Sequence, residues 1–262
     1  MTETVTRIHE IVDPDHRTGR HIQRGPIFDA HVAEKTGTAL ANATYDRQCA
    51  PFDQGSIGSC TGNASAGALM TTPLFVATRA FTEVTAVEIY SEGTFFNGTP
   101  NDYYPPNDTG SSGPAVAQGL EVLGLVSSYT HAVDLQGAQE GLQTSPGIFG
   151  ISWYTSFDTP LPTGECPLTP GATVRGGHEI QSWQLDMENQ RVWFWQSWGA
   201  TWGGLGNGQF WLSFSTLNSL FQEQADVTFF VGTQQVNPGP LTNPNAQPAA
   251  PRTLCQRIKS IF

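Results

Sequence analysis

Four side chains stand at spacings that suit acyl transfer. Cys60 closes the turn-rich stretch "DQGSIGSC" and opens "CTGNASAGAL", a run of small residues compatible with a helix. A thiol attacks a carbonyl carbon only as the thiolate, so a nucleophilic cysteine needs a helix N-terminus, an imidazole partner and a donor for the oxyanion it creates. Each has a candidate. Gln54 lies six residues before Cys60, beside Gly55 and Gly58, where its side-chain amide can fold back toward the Cys60 backbone N–H. His178, in "RGGHEI", starts a predicted strand, and Gln196 is followed by the aromatic cover of Trp198 and Trp202. Taken singly, Cys60 reads as a buried small residue, His178 as a structural imidazole and Gln196 as an ordinary strand residue. It is the set that points to chemistry.

The elements that must position these residues divide the chain in two. Helices are predicted from Cys60 to about Ala80, interrupted near Pro73, over "FTEVTAVEIYSEGTFF", and over "GPAVAQGLEVLGLV" with Pro114 at its first turn. The second half turns to short aromatic and β-branched runs bounded by Gly, Asn and Asp: Gly147 to Phe157, Gly176 to Asp186, Arg191 to Gly199, Gly208 to Phe214 and Ala225 to Gly232. A helical front half and a β-rich back half predict an α+β fold with a ligand cleft between them. Trp183, Trp193, Trp195, Trp202 and Trp211 are expected to fill the barrel core. His9, His16, His21, His31 and His131 lack metal-ligand spacing.

At 262 residues the chain can bury a sizeable core. A formal charge of −11, with Lys35 and Lys259 as the only lysines, argues against a nucleic-acid partner. The first thirty residues contain no apolar core of signal-peptide length and no run of eighteen apolar residues follows, so no membrane span is expected, and the protein reads as cytoplasmic or as part of a virion-like particle. The four cysteines (Cys49, Cys60, Cys166, Cys255) form no CxxC pair; a Cys49–Cys166 bridge is allowed, but a reducing compartment favours free thiols. Residues 1–45 read as an N-terminal arm with a basic cluster, and 46–232 as the main domain. Residues 233–251 read as a Pro/Asn/Gln-rich linker, and 252–262 as a short basic amphipathic tail, either frayed or a docking peptide for a protein assembly.

The blocks "QGSIGSC", "GGHEI" and "QSWGATWGGLGNGQFWLS" resemble, in order and spacing, the three signatures of papain-like cysteine peptidases of the C1 family, most nearly a short bacterial and viral branch. The resemblance spans roughly Asp53 to Phe214. It implies a helical left half, a β-barrel right half and an active-site cleft between them. By that likeness Cys60 is the nucleophile, His178 forms a thiolate–imidazolium pair with it, and Gln54 with the Cys60 N–H makes the oxyanion hole. Gln196 stands where the family has the asparagine that orients the imidazole, and Trp198 where a tryptophan shields that bond. Ser112 and Gly113, in "GSSG", and Trp198 fall on the substrate side of the cleft. No cofactor or metal is implied, and the substrate is a peptide or protein.

The sequence departs from the family at three places. Gln196 adds a methylene to the usual asparagine, Thr61 replaces the tryptophan common after the nucleophile, and the arm is much shorter than an inhibitory prosegment, which speaks against zymogen control of that kind. These departures leave two other readings beside an active peptidase: a structural or assembly protein, conceivably of a phage particle, and a hydrolase of cell-wall peptide cross-bridges.

Overall fold

The computed structural model describes residues 4–7, 18–74, 81–98 and 103–232. The linker and C-terminal tail read from the sequence lie outside the described residues. The chain opens with β1 (Thr4–Arg7), β2 (His21–Arg24), α1 (Pro26–Ala30) and β3 (Ala43–Thr44). Three helices follow: α2 (Cys60–Leu69), α3 (Glu83–Thr94) and α4 (Gly113–Val122). The rest is β4 (Val126–Ala132), α5 (Leu135–Gly141), β5 (Gly147–Tyr154), β6 (Val174–Asp186), β7 (Arg191–Trp195), β8 (Gln209–Ser213), α6 (Phe214–Gln222) and β9 (Asp226–Gly232).

Every residue of α2 is buried, which explains its composition. A helix enclosed on all sides needs small side chains where neighbours cross it. A Cβ on Gly62 would lie 2.1 Å from the Ala86 carbonyl oxygen of α3. The helix stops at Leu69, short of the expected end near Ala80. The Met70 and Thr71 N–H groups bond back to Ala66 and Ala68, the Thr71 hydroxyl donates to the Gly67 oxygen, and Pro73 cannot extend the ladder. Residues 75–80 lie outside the described residues. Helix α4 starts as its sequence predicts: the Ala115 N–H donates to Ser112 Oγ at 3.1 Å, and Pro114 occupies the first turn.

The second half is an antiparallel sheet in the order β4-β9-β5-β6-β7-β8, with β3 added to β6. The five expected strands are present with slightly different ends. One buried cluster, including Leu69, Ala86, Ile89, Val116 and Leu120, lies among the helices, and another, including Phe149, Ile151, Trp153, Phe194 and Phe210, fills the sheet half. The tryptophan expectation fails on the outer strands. Along β7 and β8 Val192, Phe194, Phe210 and Leu212 point inward, so strict alternation leaves Trp193, Trp195 and Trp211 half-buried on the outer face, with Trp183 beside them. Arg47 covers Trp195 at 5.2 Å and Arg191 covers Trp193 and Trp211 at 5.1 Å. Cys49, Cys60 and Cys166 are free thiols, so the allowed Cys49–Cys166 bridge is not formed. No helix among the described residues is long and apolar enough to cross a membrane.

Candidate active site

Cys60 is the first residue of α2, at the seam between the two halves, and is fully buried. The turn ahead of it is tied down from both sides. The Gly58 N–H donates to both oxygens of Asp108, at 3.1 and 3.0 Å, and the Tyr90 hydroxyl donates to the same carboxylate at 2.7 Å. Gln54 belongs to this turn and is held by the sheet half: its N–H donates to the Ser197 carbonyl at 2.9 Å, and the Ser197 hydroxyl donates to Gln54 Oε1 at 2.6 Å. The other end of the amide faces the Ile57 carbonyl, which can only accept, so Nε2 is the donor end and reaches that oxygen in the turn leading to Cys60 at 2.8 Å.

His178 lies in the interior of β6, opposite Ile151 of β5, and its ring is fully buried. Its Nε2 is 2.6 Å from Gln196 Oε1, and the Ser197 N–H donates to the same oxygen at 2.8 Å. The backbone donor identifies that atom as an acceptor. His178 therefore carries a proton on Nε2, and in the neutral ring the lone pair is on Nδ1. The Gln196 side chain, extra methylene included, reaches the His178 ring. Trp198 lies over the imidazole with ring centres 4.9 Å apart, and Trp153 meets it edge-on at 5.0 Å. Trp153 is fully buried and also packs on Trp198 at 5.1 Å. Both tryptophans exclude water from the His178–Gln196 bond, which strengthens it.

The N-terminal segment runs through the cleft. The Gly19 and Arg20 N–H groups donate to the Gly177 carbonyl, next to His178, at 3.0 and 2.8 Å. Ser111 donates its N–H to the Gly19 carbonyl at 2.7 Å and accepts the His21 N–H at 2.6 Å. The passage is narrow. A Cβ on Gly19 would sit 2.3 Å from the Gly58 oxygen, and one on Gly110 would sit 2.0 Å from the Gly19 oxygen. Only glycine fits at either place. Backbone N–H groups of Glu179, Gly19 and Thr61 act to lower the Cys60 thiol. Burial nevertheless dominates. It pushes the thiol up to about 12, and the Glu179 carboxyl acts in the same direction. Burial in this arrangement opposes the thiolate of the pair that the family resemblance implies. These few residues lie against Gly58, Ser111 and Gly177.

The structure brings Cys60, His178, Gln54 and Gln196 to one seam. The Ser112 hydroxyl caps α4 and donates to Gln23 Oε1 at 2.6 Å. Backbone pairing with the N-terminal segment is made by Ser111. Gly113 does face the cleft, since a Cβ there would meet Thr228, Glu179 and Asp226. Trp198 covers His178. The sequence reading missed Ser197, Ser111 and Trp153. Ser197 stands between two residues already singled out in "QSW", so its position was a signal; Trp153 looked like one more aromatic in a strand.

No protein-family model matches the chain, and no curated protein matches it by sequence. Solved structures do. Xylellain, a cysteine protease from Xylella fastidiosa, is 18% identical and superposes with a TM-score of 0.56 over 86% of this chain and 99% of that one. Procathepsin B from Trypanosoma congolense is 10% identical with a TM-score of 0.57, covering 82% of this chain and 86% of its own. A Carica candamarcensis cysteine protease, solved in complex with E-64, is 13% identical with a TM-score of 0.50, covering 71% and 94%. Helices on one side, an antiparallel sheet on the other and Cys60 at the seam make this a papain-like cysteine-protease fold.

Proposed function

We propose that the protein is a cysteine peptidase that hydrolyses peptide bonds through a Cys60 acyl-enzyme and that residues 18–24 hold it latent. The observation that carries this reading is the convergence of the Ser197 N–H and His178 Nε2 on Gln196 Oε1. It leaves Nδ1 as the basic nitrogen of a ring whose next residue, Glu179, has its backbone N–H close enough to lower the Cys60 thiol.

In this mechanism departure of the arm rehydrates the thiol, and His178 Nδ1 takes its proton. The α2 N-terminus and the imidazolium then stabilise the thiolate. Sulfur attacks the scissile carbonyl carbon, a C–S bond forms, and the oxyanion is held by the Cys60 N–H and Gln54 Nε2. The imidazolium gives its proton to the leaving amine as the C–N bond breaks. Water, deprotonated by His178, then releases the acid and regenerates the thiol. Gln196 and Ser197 keep the ring and the Gln54 amide in their roles throughout.

The test uses Gly19→Val protein, in which the arm cannot pass Gly58. Casein hydrolysis and stoichiometric labelling of Cys60 by an epoxide thiol inhibitor are expected, and both vanish with Cys60→Ala. Hydrolysis that persists without Cys60 would refute the assignment.

A further inference from the structure

A small cavity lies at the seam, outside the catalytic row. It measures about 10 Å³, room for one water-sized group, and Arg47, Asn63, Gln181, Trp195 and Gln196 are among its walls. Cys60 and His178 do not border it. Gln181 of β6 and Trp195 of β7 pair in register, and Arg47 lies across both. Its Nη1 donates to Gln181 Oε1 at 2.7 Å, and its guanidinium is 5.2 Å from the Trp195 ring.

Two donors on these walls have no acceptor. Gln196 is buried, and its Oε1 is taken by His178 and the Ser197 N–H. The other end of that amide, Nε2, has no hydrogen-bond partner among the described residues, and Trp195 Nε1 has none either. A buried N–H without an acceptor is costly. The oxygens of the walls, by contrast, are engaged: Gln181 Oε1 by Arg47, and Asn63 Oδ1 by the Ser59 hydroxyl at 2.8 Å. A water would accept both N–H groups but would have to direct its own hydrogens at oxygens that already accept. An anion accepts and has no hydrogens to place.

Charge points the same way. Arg47 spends its hydrogen bonds on the Gln181 amide, the Ala50 carbonyl and the Cys49 sulfur, none of them a carboxylate. Burial weighs against its positive charge, and an anion beside it offsets that cost. Glu179 also borders the cavity, but burial and the Asp226 charge hold its carboxyl well above the usual range, so it is neutral there. Glu83, whose charge also favours that of Arg47, stands outside the walls, with its two oxygens bonded to Asn63 Nδ2 and the Asp53 N–H.

We propose that this cavity is a site for one small monovalent anion, a halide such as chloride, which accepts the Trp195 Nε1 and Gln196 Nε2 hydrogens and lies against the Arg47 guanidinium. The anion fixes the far end of the Gln196 amide and thereby keeps Oε1 on His178. Gln196 then ties the anion to the imidazole and makes turnover anion-dependent, a consequence that rests on the peptidase reading, whereas binding does not.

The experiment reads binding apart from catalysis. Full-length wild-type protein is unfolded thermally in sodium chloride, sodium bromide or sodium gluconate at one ionic strength, gluconate being too large for the cavity. The midpoint is expected about 3 °C higher in chloride and bromide than in gluconate. Trp195→Phe, which removes the indole N–H and keeps an aromatic ring, should lose most of this difference, and Arg47→Met all of it. Equal midpoints in the three salts, or a difference that folded Trp195→Phe protein retains in full, overturns the proposal and assigns the cavity to water. In Gly19→Val protein, chloride should raise casein hydrolysis about threefold over gluconate, the scale of one buried hydrogen bond. Hydrolysis equal in the two salts overturns the coupling to Gln196. Chloride-dependent midpoints with no casein hydrolysis in any salt sink the peptidase reading and leave the anion site standing.

Discussion

His178 Nε2 lies 2.6 Å from Gln196 Oε1, an oxygen that also accepts the Ser197 N–H. This glutamine therefore selects the tautomer of the imidazole as well as its position. Removing the acceptor leaves a buried N–H unpaired and lets the ring turn, at a cost of about 1–3 kcal/mol. In Gly19→Val protein, Gln196→Leu should lower kcat by about 10- to 100-fold with KM little changed. Gln196→Asn, one methylene shorter, withdraws the oxygen from both donors and should fall between the two. A purely structural role would instead lower the unfolding temperature and leave the pH profile of Cys60 labelling where it was.

The arm makes a second prediction. Gly19 passes between Gly58 and Gly110 with no room for a Cβ, and the obstructing atoms at both places are backbone. Gly19→Val should expel the segment, hydrate Cys60 and let its thiol fall from about 12 toward the ordinary range. Alkylation of Cys60 by iodoacetamide at pH 7 should then accelerate at least tenfold, since the rate follows the thiolate fraction. An unchanged rate would mean that residues 18–24 do not control access.

How far the sequence foresaw this site follows from what sets each feature. Cys60 at a helix start and the strand carrying His178 follow from local patterns, small residues after a turn and a short stretch with Ile180, Trp183 and Leu185 after glycines. The five strands of the second half were legible for the same reason. Strand β4, "VSSYTHA", was not, because its partner β9 and helix α4 supply the burial that its polar residues do not announce. Helix α6 buries Leu217, Leu220 and Phe221 at helical spacing, and the pattern was present but short. The arm was illegible in principle: nothing local to "TGRH" says that it will thread a cleft built by residues as far apart in the chain as Gly58, Ser111 and Gly177.

Trp153 gives a prediction about stability. Its indole is fully buried between His178, Phe157, Trp198 and Phe210, and its Nε1 donates to Asp158 Oδ1 at 2.8 Å. Trp153→Ala should cost about 3–5 kcal/mol of folding free energy, as large buried aromatics do. Chemical denaturation should show this as a lower midpoint. Trp211→Ala, on the half-exposed outer face, should cost much less, which distinguishes a core tryptophan from a surface row.

Acid should loosen the fold through His131. Its ring is buried, stacked on Phe28 of α1 with centres 4.5 Å apart, and its Nδ1 is 3.0 Å from Thr228 Oγ1. Burial lowers it to about 3, with His31 and Arg24 acting in the same direction and Asp226 opposing them. The folded protein therefore binds fewer protons than the unfolded chain between pH 6.5 and about 3, so stability is present above that window and is lost as pH falls through it. The melting temperature should drop by several degrees between pH 7 and 4, and His131→Leu should flatten that part of the profile. Because His131 and the closing segment share Asp226 and Arg24, labelling of Cys60 should quicken over the same range once corrected for the reagent's own pH dependence. A profile identical in wild-type and His131→Leu protein would place the acid sensitivity elsewhere.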